Sequence, residues 1–152
     1  MKSIAAAIVV AAMLAGAPLA GSHPATAEKK PPSVYYGHIK SMSRTAHGFQ
    51  IRFDPAWWLT GRAAEQAKFE DTGSRDVPND YYIVDEGHRL LTFPVARDAD
   101  VSVLVNGSAR HMRISSAELY RRKPRRSGAG YWIQIGDKYP NPAVRLYQQY
   151  QP

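Results

Sequence analysis

The carboxylates Glu70, Asp71, Asp76, Asp80, Asp85 and Glu86 crowd the centre of the chain. Paired carboxylates can run general acid–base chemistry or offer oxygen ligands to Ca²⁺. The spacing of Asp71, Asp76, Asp80 and Asp85 does not fit an EF-hand loop, whose ligands alternate closely around a glycine. A glycosidase pair is defined by a distance in space, so spacing along the chain cannot assign one. The four histidines beyond residue 27, His38, His47, His88 and His111, fall into neither H-E-x-x-H nor H-x-H. A hydrolase or metal-assisted enzyme on this chain would have to draw on the region of Asp80, Asp85 and His88. The plainer reading makes Glu70 and Asp71 a solvated helix end, and Asn79-Asp80 a cap or turn before the strand that holds Tyr81 and Tyr82. There is no G-x-S-x-G elbow, and Ser127-Gly128-Ala129-Gly130 lacks the lysine and length of a phosphate loop. With no cysteine there is no zinc–cysteine site, no disulfide and no thiol nucleophile. The pattern points away from an enzyme and implies neither metal nor cofactor.

Binding chemistry has two candidate sources. The run Arg121-Arg122-Lys123-Pro124-Arg125-Arg126 places five cations in six positions. On an exported protein it would face anionic envelope polymers or lipid headgroups, not intracellular nucleic acid, at about 1 kcal/mol per cation near an anionic surface. It is otherwise a solubilising loop. The aromatic pairs Tyr35-Tyr36, Trp57-Trp58, Tyr81-Tyr82 and Tyr131-Trp132 should each put one ring on either face of a strand. The outer rings would serve a sugar- or peptide-binding face, or merely cover an edge.

The N-terminus gives these residues an address. Met1-Lys2 is a short positive start, Ile4 to Ala17 is an uncharged apolar run, and Ala25-Thr26-Ala27 is a small-residue site ahead of Glu28-Lys29-Lys30. That order is a secretory signal peptide over 1–27, cleaved near Ala27. The run is shorter than the ~20 residues a membrane span needs, and Pro18 stands where a lipoprotein signal would require cysteine. The protein is therefore expected in the periplasm or outside the cell, with no transmembrane segment in the mature chain. Residues 28–33, with Pro31-Pro32, read as a stiff tether. The remainder, 34–152, is one domain. The chain carries 20 Lys and Arg against 13 Asp and Glu, a net +7, and cleavage removes a lysine but no acid.

The elements that must position the candidate residues are mostly strands. Val34 to Met42 is rich in Tyr, Val and Ile, and Phe49, Ile51 and Phe53 alternate with polar residues, which predicts a hairpin. Pro55 should stop the second strand, and a helix should follow over about 58–72, with Thr60 as N-cap and Gly73 as its stop. Strand-like runs recur at 81–84, 90–95, 101–105, 110–114, 131–135 and 143–147. Asn106-Gly107 is a tight-turn dipeptide, and Ser115-Ser116-Ala117-Glu118 has the form of a capping box opening a short helix over about 116–122. The predicted class is α+β: mainly antiparallel strands, curled into a small sheet or barrel, with two helices.

Trp58-Leu59-Thr60-Gly61, Val77-Pro78-Asn79-Asp80-Tyr81-Tyr82-Ile83, Leu91-Thr92-Phe93-Pro94-Val95, Tyr131-Trp132 and the ending Gln148-Gln149-Tyr150-Gln151-Pro152 together resemble a family of exported bacterial proteins, many of them lipoproteins. The resemblance runs from Tyr36 to the C-terminus. It implies export and a shared compact domain, and it carries no activity. The missing cysteine and the arginine-rich run at 121–126 depart from the family pattern. The sequence thus leads to a small exported, non-enzymatic binding domain of the cell envelope, with the Asp80/Asp85/His88 enzyme as its alternative.

Overall fold

The computed structural model describes residues 33–85, 89–124 and 128–152. The leader, most of the tether, His88, Arg125 and Arg126 lie outside them. In chain order the elements are β1 (Ser33–Thr45), β2 (Gly48–Thr60), α1 (Gly61–Thr72), β3 (Tyr81–Val84), β4 (Leu91–Leu104), β5 (His111–Ile114), α2 (Ser116–Arg122), β6 (Gly130–Ile135) and β7 (Ala143–Gln148).

Five of the strands close on themselves. β1 pairs with β2, β2 with β4, β4 with β7, β7 with β6 and β6 with β1. The inward residues follow the period of two that strands impose. Ile39, Ile51, Phe53, Val101, Val103, Ile133 and Leu146 are buried in one core, and Leu119 of α2 is buried with them. A closed ring removes the exposed edges that a flat sheet of these strands would present. β3 and β5 hang outside the ring as short additions to β2 and β4.

The structure refines the expected sheet and corrects several local expectations. β4 and β7 are parallel, so the sheet is mixed; the long connection through β5, α2 and β6 lets β7 return in the same direction as β4. Pro55 does not end β2, which runs on to Thr60. The ladder from β2 to β4 stops at Phe53 and that to β3 starts at Trp57. Pro55 sits in the gap between them, where a missing N–H costs no ladder bond on that side. The helix expected over 58–72 accordingly begins only at Gly61, and Thr60 occupies the N-cap position without a side-chain cap bond. Finally, Ser33 belongs to β1 and not to the tether, and the runs at 90–95 and 101–105 are one strand of 14 residues.

Local signals held elsewhere. Asn106 and Gly107 both take positive φ, at 50° and 73°, in the turn that joins β4 to β5, as a type I′ turn requires. Gly73 closes α1 in the left-handed conformation, its N–H on Phe69 O. Ser115 caps α2 by accepting from Glu118 N at 3.1 Å. Ser115→Ala should therefore lower stability by about 1 kcal/mol; a denaturant midpoint unchanged by the substitution would remove the cap from the account of α2.

Candidate functional site

Leu119 pins α2 across one end of the barrel, and Tyr120 packs on Phe49 at 5.4 Å between ring centres. This placement gathers cations from three parts of the chain. Arg121 and Arg122 leave the last turn of α2, and Lys123 ends the helix in the left-handed conformation. Arg44, near the end of β1, lies 5.8 Å from the ring centres of both Phe49 and Tyr120. Arg97 lines a cleft of about 210 Å³ shared with Phe49 and with Ser115 to Ala117. All five side chains are exposed.

The electrostatics of this pole are less one-sided than its sequence. Glu118 accepts from Arg121 at 2.6 Å and from Arg122 at 3.1 Å. Those two guanidinium groups hold its carboxyl below the usual carboxylate range, Arg122 more than Arg121. The spacing i, i+3 and i, i+4 on a helix was the signal for this pairing in the sequence. For Arg44 and Arg97 there was no such signal, because only barrel closure brings them to α2.

The aromatic pairs build a second feature on the outside of the barrel. Tyr36, Trp58 and Trp132 form a cluster, with ring centres 4.9 Å apart for Tyr36 and Trp58 and 5.0 Å for Tyr36 and Trp132. Tyr81 stacks on Trp58 at 4.0 Å. The C-terminal glutamines tie this cluster down. Gln151 Nε2 donates to Tyr36 Oη at 2.7 Å, and Trp132 Nε1 donates to Gln149 Oε1 at 2.9 Å. Burial, with a smaller contribution from Tyr81, pushes the Tyr36 hydroxyl up to about 12. Beside the cluster Asp54 is buried at 4% exposure and pairs with Lys40 at 2.8 Å. That bond and the charges of Asp54 and Asp85 raise the Lys40 pKa.

The motif at 79–82 is distributed over these parts. Asn79 and Asp80 hold positive φ of 67° and 60°, a conformation that Asn and Asp tolerate better than most residues. Tyr81 serves the cluster, and Tyr82 Oη donates to Asp71 Oδ2 at 2.9 Å. Asp80 and Asp85 stand at opposite ends of β3, roughly 15 Å apart at the rise of an extended strand. Asp80 lines a polar cleft with Glu65, Arg75 and Asp76, while Asp85 acts on Lys40 on the barrel wall. The two carboxylates are thus not brought to one site. Among the described residues no group of three His, Asp or Glu side chains is arranged to hold a metal ion.

The ring runs in the order β1-β2-β4-β7-β6 and closes a five-stranded barrel with one parallel pair. Compared with protein-family models, curated proteins and solved structures, the chain matches none. No helix among the described residues is long and apolar enough to cross a membrane.

Proposed function

We propose that the protein is an exported, non-enzymatic binding domain that attaches to phosphate-bearing polymers or headgroups of the cell envelope through the α2 pole. The observation that supports this reading is the placement of Arg44 on Tyr120 of α2, of Arg97 beside the start of α2, and of Arg121, Arg122 and Lys123 at its end. Cations contributed by β1, β4 and α2 form a surface rather than a sequence run. Glu118 offsets part of the charge but leaves both arginine side chains largely exposed, and a guanidinium can keep one edge on Glu118 while the other meets a phosphate. Attraction of this kind is long-ranged at low salt and is screened within about 8–10 Å near physiological ionic strength.

The test compares retention on phosphatidylglycerol vesicles, on lipoteichoic acid and on lipopolysaccharide across a salt series. Binding should be measurable at low salt and fall steeply as salt rises. Replacing the five pole residues with glutamine should abolish it, with little change in the thermal midpoint, because all five are exposed. Removing equal charge elsewhere, at Arg52, Arg62, Arg89, Arg110 and Lys138, should leave most of the binding intact. If the two quintuple variants behaved alike, attraction would be a matter of net charge, and the pole would have no special part in it.

A further inference from the structure

β1 and β2 part company at one end of the barrel. Their antiparallel register ends at Tyr36↔Ala56. Beyond it, residues 33–35 of β1 continue in partnership with β6 alone, and residues 57–60 of β2 with β3 alone. The registers of β3 and β4 on β2 differ by only three residues, so β3 lies along the same side of β2 as β4, away from β1. The result is a fork. Its two prongs are the first residues of β1 and the last of β2. Among the described residues no strand pairs with either prong on the side that faces the other. A groove of about 350 Å³ runs between them, lined by Val34 and Tyr35 on one prong and by Pro55, Trp57 and Trp58 on the other.

Among the described residues nothing takes up the backbone hydrogen-bonding capacity of the groove walls. In an antiparallel ladder the N–H and C=O of successive residues point to alternate sides. Counting from the two-residue turn at Ala46-His47, the even-numbered residues of β2 turn toward β1. Trp58 and Thr60 therefore present backbone donors and acceptors to the fork. On the opposite wall Val34 does the same, since the alternation on β1 turns Ser33 and Tyr35 toward β6. The side chains around these edges are apolar, and two are unusually open for their size: Trp57 is 64% exposed and Val34 is 54% exposed.

We propose that the fork is a binding site for an extended peptide, which adds as a strand to the β2 edge at Trp58 and Thr60 with Val34 on its other flank. Residues 33–35 on one prong and 57–60 on the other correspond to about 10–13 Å of strand, room for a short segment. Both faces of the added strand would meet apolar walls: Tyr36, Trp58 and Trp132 outside, and Tyr35, Trp57 and Leu91 at the barrel mouth. The occupant is thus a segment with apolar side chains on both faces and a free backbone. Main-chain bonds would supply affinity, and the ring-lined walls would select side chains. The site continues an existing ladder: a bound strand would take the place beside β2 that β1 leaves after Tyr36. It is separate from the α2 pole and does not depend on it.

The experiment uses the purified full chain and a terminally blocked nine-residue peptide with valine and leucine at its central positions, so that both faces are apolar, and lysine at its ends for solubility. A second copy of the peptide, N-methylated at every other residue, has the same side chains and cannot donate along one edge. The unmodified peptide should slow amide exchange at Val34, Trp58 and Thr60 by about tenfold or more and alter Trp57 fluorescence. The methylated peptide should bind about tenfold or more weakly, since it forfeits two or three backbone bonds. Equal binding of the two peptides, or unchanged exchange at these three amides under saturation, would overturn the proposal. So would concentration-dependent protection of the same amides without peptide, accompanied by dimers in sedimentation, which would make a second copy of the chain the occupant.

Discussion

Gly37→Ala should be the most damaging single methyl group that can be added to this protein, costing about 3 kcal/mol or more and leaving little folded material at ordinary temperature. Gly37 sits mid-strand in β1, in register with Pro55 on β2 and with Tyr131 on β6. A Cβ built there overlaps the carbonyl oxygen of Asp54 and comes within 2.9 Å of Pro55 Cα. Both are backbone atoms of the neighbouring strand, so no side-chain rotation relieves the clash, and β2 would have to move away from β1. The same strand end sets the Tyr36↔Ala56 pair, beyond which the fork opens. Gly130→Ala is the informative comparison. Its Cβ overlaps the Tyr36 hydroxyl, which belongs to a side chain that can move only by giving up Gln151 and its place beside Trp132. Gly107→Ala meets no atom within 4 Å and strains only a φ of 73°, for about 1 kcal/mol. Denaturant midpoints should therefore fall least for Gly107→Ala, more for Gly130→Ala and furthest for Gly37→Ala. A Gly37→Ala protein as stable as the wild type would mean that β1 and β2 do not lie in this close register.

The parts of this fold that sequence could announce were those decided locally. The cap Ser115 with Glu118, the turn at Asn106-Gly107, the stop at Gly73 and the limits of α2 are each settled by a few neighbouring residues and their backbone preferences. The alternation Phe49, Ile51, Phe53 likewise named the core face of β2, since period two admits only one inward set. What sequence could not announce depends on partners far along the chain. Pro55 was read as a stop because a proline inside a strand loses a donor, and only the gap between two ladders makes that loss harmless. Closure of the ring through the parallel pair of β4 and β7 joins residues about fifty positions apart. The candidate site divides the same way. Arg121, Arg122 and Lys123 were visible as a charge run, whereas Arg44 and Arg97 join them only once the barrel has closed. Of the aromatic pairs, the alternation foretold opposite faces for Tyr35 and Tyr36. The separation of β1 from β2 that leaves Trp57 open is written in no local pattern.

Raising the pH should weaken the protein from about pH 10 upward, and Tyr36 should account for much of the loss. Tyr36 is 3% exposed and its ring packs on those of Trp58 and Trp132, while its hydroxyl accepts from Gln151 Nε2 and is pushed up to about 12. In the unfolded chain it should ionise near 10, the ordinary tyrosine value. Between those two values the native state holds a proton that the unfolded state has released, so stability falls as pH rises. For this one group the loss comes to about 1.4 kcal/mol at pH 11 and about 2.3 kcal/mol at pH 12. Lys40 and Tyr82 act in the same direction. The pKa of Lys40 is raised by Asp54, and that of Tyr82 by its bond to Asp71. Each therefore keeps its proton longer in the folded state and adds to the decline above its own ordinary value. Tyr36→Phe separates the contributions, because it retains the ring packing and removes the ionisable group. The variant should start somewhat less stable at neutral pH, with Gln151 left without its acceptor, but lose less on going from pH 9 to pH 11. Urea midpoints measured across that interval decide the matter. Parallel declines for wild type and Tyr36→Phe would show that the Tyr36 hydroxyl ionises as readily in the fold as out of it, and the tightly closed cluster of Tyr36, Trp58 and Trp132 would have to be given up.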